Sequence, residues 1–589
     1  LLQIPGFIHA FPERILQLHT THTPEFLHLP TTTSHEIDST SHSSFPVPKT
    51  RSSSSTILPR PTSVTTTSAS NSADSFDGED VIVGVIDTGV WPERLSFTDK
   101  TIPGFDDIPS RWQGDCETGQ LFNSSDCNKK LIGARAFFKS YESAYGPINE
   151  TSEYKSARDS EGHGSHTSST VLGNVVANAS LFGFAPGHAR GMAPRARLAV
   201  YKVCWEPGCF DADILAAFDA AVADGVDIIS LSVGGSVVPL YEDSIALGSF
   251  GAMQKSVLVS CSAGNSGPYA GSVANIAPWV ITVAASTVDR TFPAPVTLGD
   301  GSAYTGVSVY GGKSYWEAGQ QISLVYGGDV GLSNSSTSNL CTTGSLDPDL
   351  VRGKIVVCDR GTNARVGKGL VVSNAGGVGM ILTNTAESGS ELIADGHLIP
   401  ATLVGFTDGI AIKAYIAASG ANATATIRLD GTTELGLKPA PAMAAFSSRG
   451  PNPLPAQILK PDLTGPGVNI LAAYTGTVGP TGLDSDDRIV DFSIMSGTSM
   501  SCPHVSGLAT LIKSIHPTWS PAAIKSALMT TAYVRDNTGH LLTDTLDGET
   551  ASPFAYGAGH VDPVPAIDPG LVYDLGFEDY IEFLCSLGY

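Results

Sequence analysis

The sequence predicts an α/β fold in which a parallel β-sheet carries helices on both of its faces. From residue 79 onward, short apolar runs alternate with segments in which apolar residues recur at helical spacing, a pattern typical of parallel sheets with crossover helices. The run at 81–86 is apolar almost throughout, as expected for a strand that is buried on both faces. Further strands are predicted at 227–233, 257–263 and 280–285, and helices at 211–222, 244–256, 499–515 and from 521 onward. Asp211 could cap the first of these helices, and Ser520, which precedes a proline at the first helical position, is predicted to cap the last.

The composition bounds the class of protein. A chain of 589 residues is too long for one typical core, so two or more domains are expected. The formal net charge of −23 argues against nucleic acid and against an anionic membrane surface as partners. No apolar run reaches the roughly 18 residues that a membrane span needs. No Cys/His cluster has the spacing of a zinc site, so zinc is not expected and we assign no metal ligands.

Ser499 lies at the start of a predicted helix, after a glycine that lets the backbone approach a substrate closely. The helix is indicated by apolar residues at helical spacing, namely Val505, Leu508, Ile512 and Ile515. Its first N–H groups and its positive dipole end suit a developing oxyanion. A serine hydroxyl is a weak nucleophile unless a base takes its proton, so a base is required elsewhere in the chain.

Three other residues would complete a catalytic site. Asp87 follows the strand at 81–86, at the edge where open α/β sheets place their sites, and its carboxylate could orient a histidine. His163 lies between two glycines, and an imidazole is the usual base for a serine. The pattern alone leaves His166 open as an alternative base. Asn265 follows the strand at 257–262, and its amide could donate to an oxyanion.

Each of these residues has an ordinary structural explanation when it is taken alone. An aspartate after a strand is commonly a turn residue, an Asn-Ser-Gly-Pro segment is a turn, and a serine at a helix start is a cap. The order Asp, His, Asn, Ser on alternating strands and helices is much harder to explain in that way.

These segments resemble the subtilisin-like serine proteases, most closely their plant branch. The matching segments are 87–93, 162–167, 262–265 and 497–501, and the resemblance covers nearly the whole chain except a stretch near 31–77. The resemblance implies a subtilisin-like fold and a serine endopeptidase that works through an acyl-enzyme without a cofactor. It also implies that Asp87 is the orienting acid, His163 the general base, Ser499 the nucleophile and Asn265 the oxyanion donor. The rival hypothesis is a protein of this fold that binds peptides or partners without turnover.

The same resemblance predicts the substrate-binding residues. The family's substrate-binding strand, which pairs with an extended peptide, corresponds to Ser230, Leu231, Ser232, Val233, Gly234 and Gly235. The pocket for the residue before the cut would be walled with the help of Ser262, Ala263 and Gly264. A core strand ending in a glycine turn is the structural alternative for 230–235, and both descriptions can hold together. The expected partners are protein or peptide substrates and the protein's own prodomain as inhibitor, in a monomer or homodimer.

The resemblance also divides the chain into segments. Residues 1–19 are expected to be the end of an inhibitory prodomain, with self-cleavage after His19. Residues 20–78 would hold the mature N-terminus and a Ser/Thr-rich segment that we expect to be disordered. The catalytic domain would occupy 79–291 and 442–589, interrupted at 292–441 by a β-rich protease-associated domain. The plant enzymes continue into a fibronectin-like domain that has no counterpart up to Tyr589.

Cysteines and glycosylation motifs indicate secretion. Three pairs of cysteines are close enough in sequence to close small loops: Cys116/Cys127, Cys204/Cys209 and Cys341/Cys358. The cysteines left over are Cys261, Cys502 and Cys585. Five sequons for N-glycosylation begin at Asn123, Asn149, Asn178, Asn334 and Asn422. We therefore predict an extracellular glycoprotein, and the resemblance to the plant branch implies the apoplast or cell wall in preference to the vacuole.

Overall fold

The computed structural model describes residues 23–29, 77–102, 105 and 107–588 of the chain. The predicted prodomain remnant at 1–19 and the Ser/Thr-rich tract at 31–77, except its last residue, lie outside the described residues, and both assignments stay predictions. Residues 23–29 include a short helix, Thr23–Phe26. Leu27 and Leu29 after it are buried in the main hydrophobic core, so this segment is packed onto the body of the protein.

A sheet of seven parallel strands forms the centre of the molecule and confirms the predicted fold class. The strands in chain order are Ile82–Asp87 (β1), Leu131–Ala136 (β2), Arg197–Lys202 (β3), Ile228–Leu231 (β4), Leu258–Ser262 (β5), Ile281–Ser286 (β6) and Leu463–Pro466 (β7). Their spatial order is β2-β3-β1-β4-β5-β6-β7, and every neighbouring pair is parallel. Such a sheet must be covered on both faces, which explains the uninterrupted apolar strands.

Five helices of the catalytic region pack around this sheet. They are His163–Leu172 (α1), Asp211–Asp224 (α2), Ser244–Gln254 (α3), Thr498–Ile515 (α4) and Pro521–Thr530 (α5). The predicted cap of α5 is confirmed, because the Ser520 hydroxyl accepts from the N–H of Ala523 at 3.0 Å. The predicted cap of α2 is wrong by one residue. The helix begins at Asp211 itself, and the Asp211 carboxylate instead accepts from the Ser244 hydroxyl at 2.6 Å.

Strand β1 shows how the two faces are filled. Val83 and Val85 belong to the core that also contains Val505 and Leu508 of α4. Ile82 and Ile86 point to the other side, into a second core with apolar side chains of α2 and α3. Because side chains of a strand alternate between faces, one strand anchors both helix layers. The position of Asp87 at the end of β1 is therefore fixed from both sides.

A second sheet lies between β6 and β7 in the sequence. It has eight strands, with spatial order Ala303–Tyr304, Val296–Leu298, Thr424–Ile427, Ile322–Tyr326, Ile355–Asp359, Gly379–Thr383, Ala401–Val404 and Gly306–Val307. Two helices, Arg365–Asn374 and Phe406–Ser419, accompany it, and it has a hydrophobic core of its own. This sheet falls within the predicted insert at 292–441, whose identity as a protease-associated domain stays a prediction.

Shorter elements complete the described chain. Two-stranded pairs are formed by Val176–Leu181 with Phe184–Ala189, Cys204–Trp205 with Gly208–Cys209, Arg290–Thr291 with Glu434–Leu435, and Ile470–Ala473 with Phe492–Met495. The remaining α-helices are Lys139–Tyr145, Pro348–Val351, Pro553–Tyr556, Pro563–Ala566 and Phe577–Ser586, and short 3₁₀ helices are formed by Leu95–Phe97, Ser124–Asp126, Gly327–Asp329, Ser338–Leu340 and Gly420–Asn422. Across the part of the chain that is described, we find no helix with the length and apolar character of a membrane span.

The three predicted disulfide bonds are present. They join Cys116 to Cys127, Cys204 to Cys209 and Cys341 to Cys358. The remaining thiols are Cys261 and Cys502, which are buried, and Cys585, which is exposed.

Candidate active site

The sheet order places a crevice at the carboxyl ends of β1 and β4. After β1 the chain builds β2 and β3 on one side, and then returns to build β4 to β7 on the other side. The connections that leave the two central strands diverge at such a switch, so a crevice opens between them. A cleft of about 690 Å³ lies there. All four predicted catalytic residues line it: Asp87, His163, Asn265 and Ser499.

Asp87 and His163 form a close pair. Nδ1 of His163 lies 2.7 Å from Oδ1 of Asp87, whose side chain is 1% exposed. The carboxylate also accepts from the N–H of Thr88 at 2.7 Å and from the Thr167 hydroxyl at 3.1 Å. A carboxylate with this many donors is held in one orientation, and it fixes the imidazole ring in turn.

The charge around His163 favours its protonated form. Burial alone would lower the pKa of His163, but the charge and hydrogen bond of Asp87, with Glu161 and Asp159 nearby, raise the pKa to about 9. His166 is different, because it is fully buried and its Nε2 lies 3.0 Å from the carbonyl oxygen of Ile470. Burial lowers the pKa of His166 to about 3, so this ring stays neutral. The placement favours His163 over His166 as the base.

Ser499 is the second residue of α4, as its sequence predicts. Its hydroxyl donates to the carbonyl oxygen of Ser232 at 3.3 Å, while the Ser232 hydroxyl donates to the carbonyl oxygen of Ser499 at 2.9 Å. This reciprocal contact ties the start of α4 to the segment that follows β4. The nucleophile candidate and His163 line the same cleft, and the Ser499 hydroxyl is directed at Ser232 rather than at the ring.

Asn265 is oriented by the residue before Ser499. Its Oδ1 accepts from both the N–H and the hydroxyl of Thr498, each at 2.9 Å. Its amide nitrogen is thereby left for other acceptors. A Cβ placed on Gly497 would lie 3.5 Å from Nδ2 of Asn265 and 3.6 Å from the backbone nitrogen of Ser499. The glycine therefore keeps open the space that faces both candidate oxyanion donors.

The predicted substrate-binding residues separate into two groups. Ser232, Val233, Gly234, Ser262 and Gly264 line the cleft. Ser230, Leu231 and Ala263 are instead buried beneath it, and Gly235 is exposed outside its lining. The hydroxyl of Ser230 accepts from that of Ser506 of α4 at 2.8 Å, so Ser230 joins β4 to the helix.

Sequence reasoning missed several residues that line the cleft. The hairpin closed by the Cys204–Cys209 disulfide borders it, and Trp205 anchors this hairpin by donating to the carbonyl oxygen of Phe137 at 2.9 Å. Carboxylates from other segments also line it: Glu153, Glu161, Glu206 and Asp484. The position of the cysteine pair directly after β3, at the carboxyl edge of the sheet, was the signal that could have indicated the hairpin.

Known proteins are similar to this chain over most or all of its length. The sequence profile of the Subtilase family matches residues 78–559. The chain is 54% identical to subtilisin-like protease SBT1.7 of Arabidopsis thaliana, across 100% of this chain and 72% of that protein. It is 51% identical to subtilisin-like proteases SBT1.5 and SBT1.3 of the same plant, across 100% and 99% of this chain and 72% and 69% of those proteins. The chain therefore belongs to the subtilase family and is a subtilisin-like serine endopeptidase.

Proposed function

We propose that the protein is a secreted endopeptidase whose triad is Asp87, His163 and Ser499. The observation that carries this proposal is the 2.7 Å contact of His163 Nδ1 with the buried Asp87, in the cleft that Ser499 also lines. A carboxylate on Nδ1 selects the tautomer that presents Nε2 as a base, and it stabilises the imidazolium that forms.

The reaction begins when the Ser499 hydroxyl turns from the carbonyl of Ser232 toward Nε2 of His163. Hydrogen bonds of this kind commonly tighten only when substrate is bound. The oxygen attacks the scissile carbonyl carbon while His163 takes its proton, and His163 then returns that proton to the leaving amine. A water molecule, activated by the same ring, hydrolyses the acyl-enzyme and regenerates Ser499.

Asn265 and the N–H of Ser499 serve as the oxyanion donors. The N–H groups in the first turn of a helix have no partner within the helix, so that of Ser499 is available. The two hydrogen bonds from Thr498 hold Oδ1 of Asn265 and leave its Nδ2 for the oxyanion. Loss of one such donor typically lowers kcat by roughly 10²- to 10³-fold.

The substrate is an extended peptide. The main chain at Ser232, Val233 and Gly234, which line the cleft together with Gly264, provides an edge along which a peptide can pair as an added strand. Ser262 and Ala263 support the wall beside Gly264. Residues 230 and 231 contribute through the strand that positions this edge, because their side chains are buried.

Two features support secretion, which we place in the apoplast or cell wall. The protein holds three disulfide bonds, which persist in oxidising compartments. The asparagines of all five sequons are exposed, as glycosylation requires. By family resemblance, the segment before residue 20 belongs to an inhibitory prodomain, and the mature enzyme acts as a monomer or homodimer.

Cleavage of a peptide library by the purified protein tests this proposal. We expect new peptide N-termini to appear with the wild-type protein and not with Ser499→Ala, in samples of equal thermal stability. Equal cleavage by both proteins would contradict the assigned nucleophile. Peptide binding by the wild-type protein without any cleavage would favour the rival hypothesis of a binding protein.

A further inference from the structure

We propose that Asp159 is a positioning residue of the active site, and that its buried carboxylate holds the segment after β1 against the first turn of α1. The inference rests on the proposed triad, because Asp87 ends β1 and His163 begins α1. Asp159 itself lines no part of the cleft, so it acts on the reaction through these neighbours.

The carboxylate of Asp159 is fully buried and accepts hydrogen bonds on both of its oxygens. Oδ1 accepts from the Thr88 hydroxyl at 3.0 Å and from the N–H groups of Glu161 and Gly162 at 3.1 and 2.8 Å. Oδ2 accepts from the N–H and the hydroxyl of Ser165 at 2.9 and 2.6 Å. Burying a charge costs free energy unless the charge is fully hydrogen-bonded. The hydrogen bonds to this carboxylate therefore stabilise its charge, and they also fix the positions of the groups that donate them.

The donors come from the two segments that carry the acid and the base. Thr88 directly follows Asp87, and its hydroxyl also accepts from the N–H of Gly164 at 2.7 Å. The two segments approach so closely that a Cβ on Gly164 would lie 2.3 Å from the carbonyl oxygen of Gly89. The Ser165 hydroxyl extends the connection, because it accepts from the N–H of Trp91 at 2.9 Å. Asp159 thus joins the end of β1 to the start of α1.

Asp159 also caps α1. The residue that precedes the helix is Gly162, which has no side chain to accept from the first turn. Asp159 supplies the missing acceptor for the N–H of Ser165, and a negative charge at a helix N-terminus is favourable. The orientation of His163, the first residue of α1, therefore depends on a carboxylate four residues before it.

The charge of Asp159 should also have a measurable effect on the pKa of His163. The groups that face His163 are Asp87 from β1, Asp159 and Glu161 from the preceding loop, and the neutral His166 within α1. Lys202 of β3 is the nearby cation, and its Nζ donates to the carbonyl oxygen of Arg158 at 2.9 Å. Because Asp159 is one of the charges that raise the pKa of His163, its removal should lower that pKa.

The test compares the wild-type protein with Asp159→Asn and with the matched variant Asp213→Asn. Asp213 is also a buried carboxylate that accepts from backbone N–H groups, those of Ser140 and Tyr141, but it lies outside the cleft. We expect Asp159→Asn to lower kcat about 10- to 100-fold, since a misplacement of about 1 Å can cost about 10²-fold. The acid limb of its kcat/KM profile should also shift to lower pH. Asp213→Asn should lower the unfolding temperature, but it should leave both kcat and the acid limb of the kcat/KM profile unchanged.

Each outcome decides the proposal. If Asp159→Asn behaves as Asp213→Asn does, or changes only one of kcat and the acid limb, Asp159 is not the positioning residue proposed here. If Asp159→Asn does not fold, Ser165→Ala removes one donor to the same carboxylate, and an unchanged kcat in that variant would overturn the proposal. A wild-type protein without turnover and without fluorophosphonate labelling would instead contradict the proposed triad.

Discussion

Thr498 donates both its backbone N–H and its hydroxyl to Oδ1 of Asn265, at 2.9 Å each. Two donors on one amide oxygen leave the amide no equivalent flipped orientation, because its nitrogen cannot accept from them. The residue before the nucleophile candidate thus sets the direction of the Asn265 amide, the proposed oxyanion donor. The hydroxyl is itself held, since it accepts from the N–H of Gly264 at 3.2 Å.

Removal of the Thr498 hydroxyl should weaken oxyanion stabilisation. We expect Thr498→Val to lower kcat by about tenfold, less than the roughly 10²- to 10³-fold loss from removing a donor outright, because the backbone N–H of residue 498 still holds Asn265. Thr498→Ser keeps the hydroxyl and should recover most of the rate. Steady-state kinetics on one peptide substrate measure both effects, and a full kcat in Thr498→Val would contradict the orienting role.

A side chain at Gly497 should obstruct the oxyanion site. The added Cβ of Gly497→Ala would stand about 3.5 Å from both Asn265 Nδ2 and the nitrogen of Ser499, where the oxyanion has to fit. We expect kcat to fall by about 10²-fold or more, with a smaller change in KM. The control is Gly251→Ala in α3, where a Cβ meets no atom within 4 Å and helix propensity improves by up to about 1 kcal/mol. Equal kcat values in the two variants would refute the steric argument.

The pH dependence of kcat/KM should report His163. Because Asp87 and the neighbouring carboxylates raise the pKa of His163 to about 9, the ring is protonated below that pH and cannot act as a base. We expect kcat/KM to rise about tenfold per pH unit up to about pH 9 and then level off. Asp87→Asn should shift this rising, acid limb of the kcat/KM profile to lower pH, and it should reduce kcat by about 10⁴-fold. If the acid limb does not shift in Asp87→Asn, the group that titrates in the kcat/KM profile is not His163.

Stability should fall on acidification because four buried histidines stay neutral in the folded protein. Burial lowers the pKa values of four histidines from an unfolded value of 6.5, to about 3 for His166 and His560 and to about 4 for His397 and His504. Unfolding therefore takes up protons between about pH 6.5 and pH 4. The free energy of unfolding should decrease with falling pH in that window, by up to about 1.4 kcal/mol per unit for each ring.

Thermal unfolding between pH 7 and pH 5 measures this decrease. His560→Phe removes one of the four rings and should flatten the slope by about a quarter, if the rings contribute equally. His540 is exposed, so His540→Gln is the control that should leave the slope unchanged. A slope that does not respond to His560→Phe would contradict the assignment of the proton uptake.

The sequence predicted the parts of the fold that depend on local patterns. The strand at 81–86 could be recognised because a strand buried on both faces is apolar throughout, and the α5 cap because a Ser-Pro pair has a specific backbone preference. The resemblance added the roles of Asp87, His163, Asn265 and Ser499, and the structure brings all four to one cleft. The three disulfide pairs were predictable because each closes a short loop.

What the sequence could not indicate depends on contacts between distant segments. No sequence pattern indicates a role for Asp159, because only the fold brings Thr88 to its carboxylate. The assignment of Asp211 as a helix cap failed for the same reason, because Ser244 on another helix competes for its side chain. The substrate-binding segment 230–235 was predicted as a unit, but Ser230 and Leu231 belong to β4, which is buried on both faces, and only residues 232–234, after the strand ends, lie at the cleft.

Fluorophosphonate labelling of the purified, folded protein, with the modified peptide mapped by mass spectrometry, tests the assembled triad most directly. The reagent reacts with a serine only when a base and an oxyanion site activate it. We predict labelling at Ser499 alone, loss of labelling in Ser499→Ala and strong reduction in Asp87→Asn. A folded protein that remains unlabelled, or one labelled equally in Ser499→Ala, would contradict the assignment of Ser499 as the activated nucleophile.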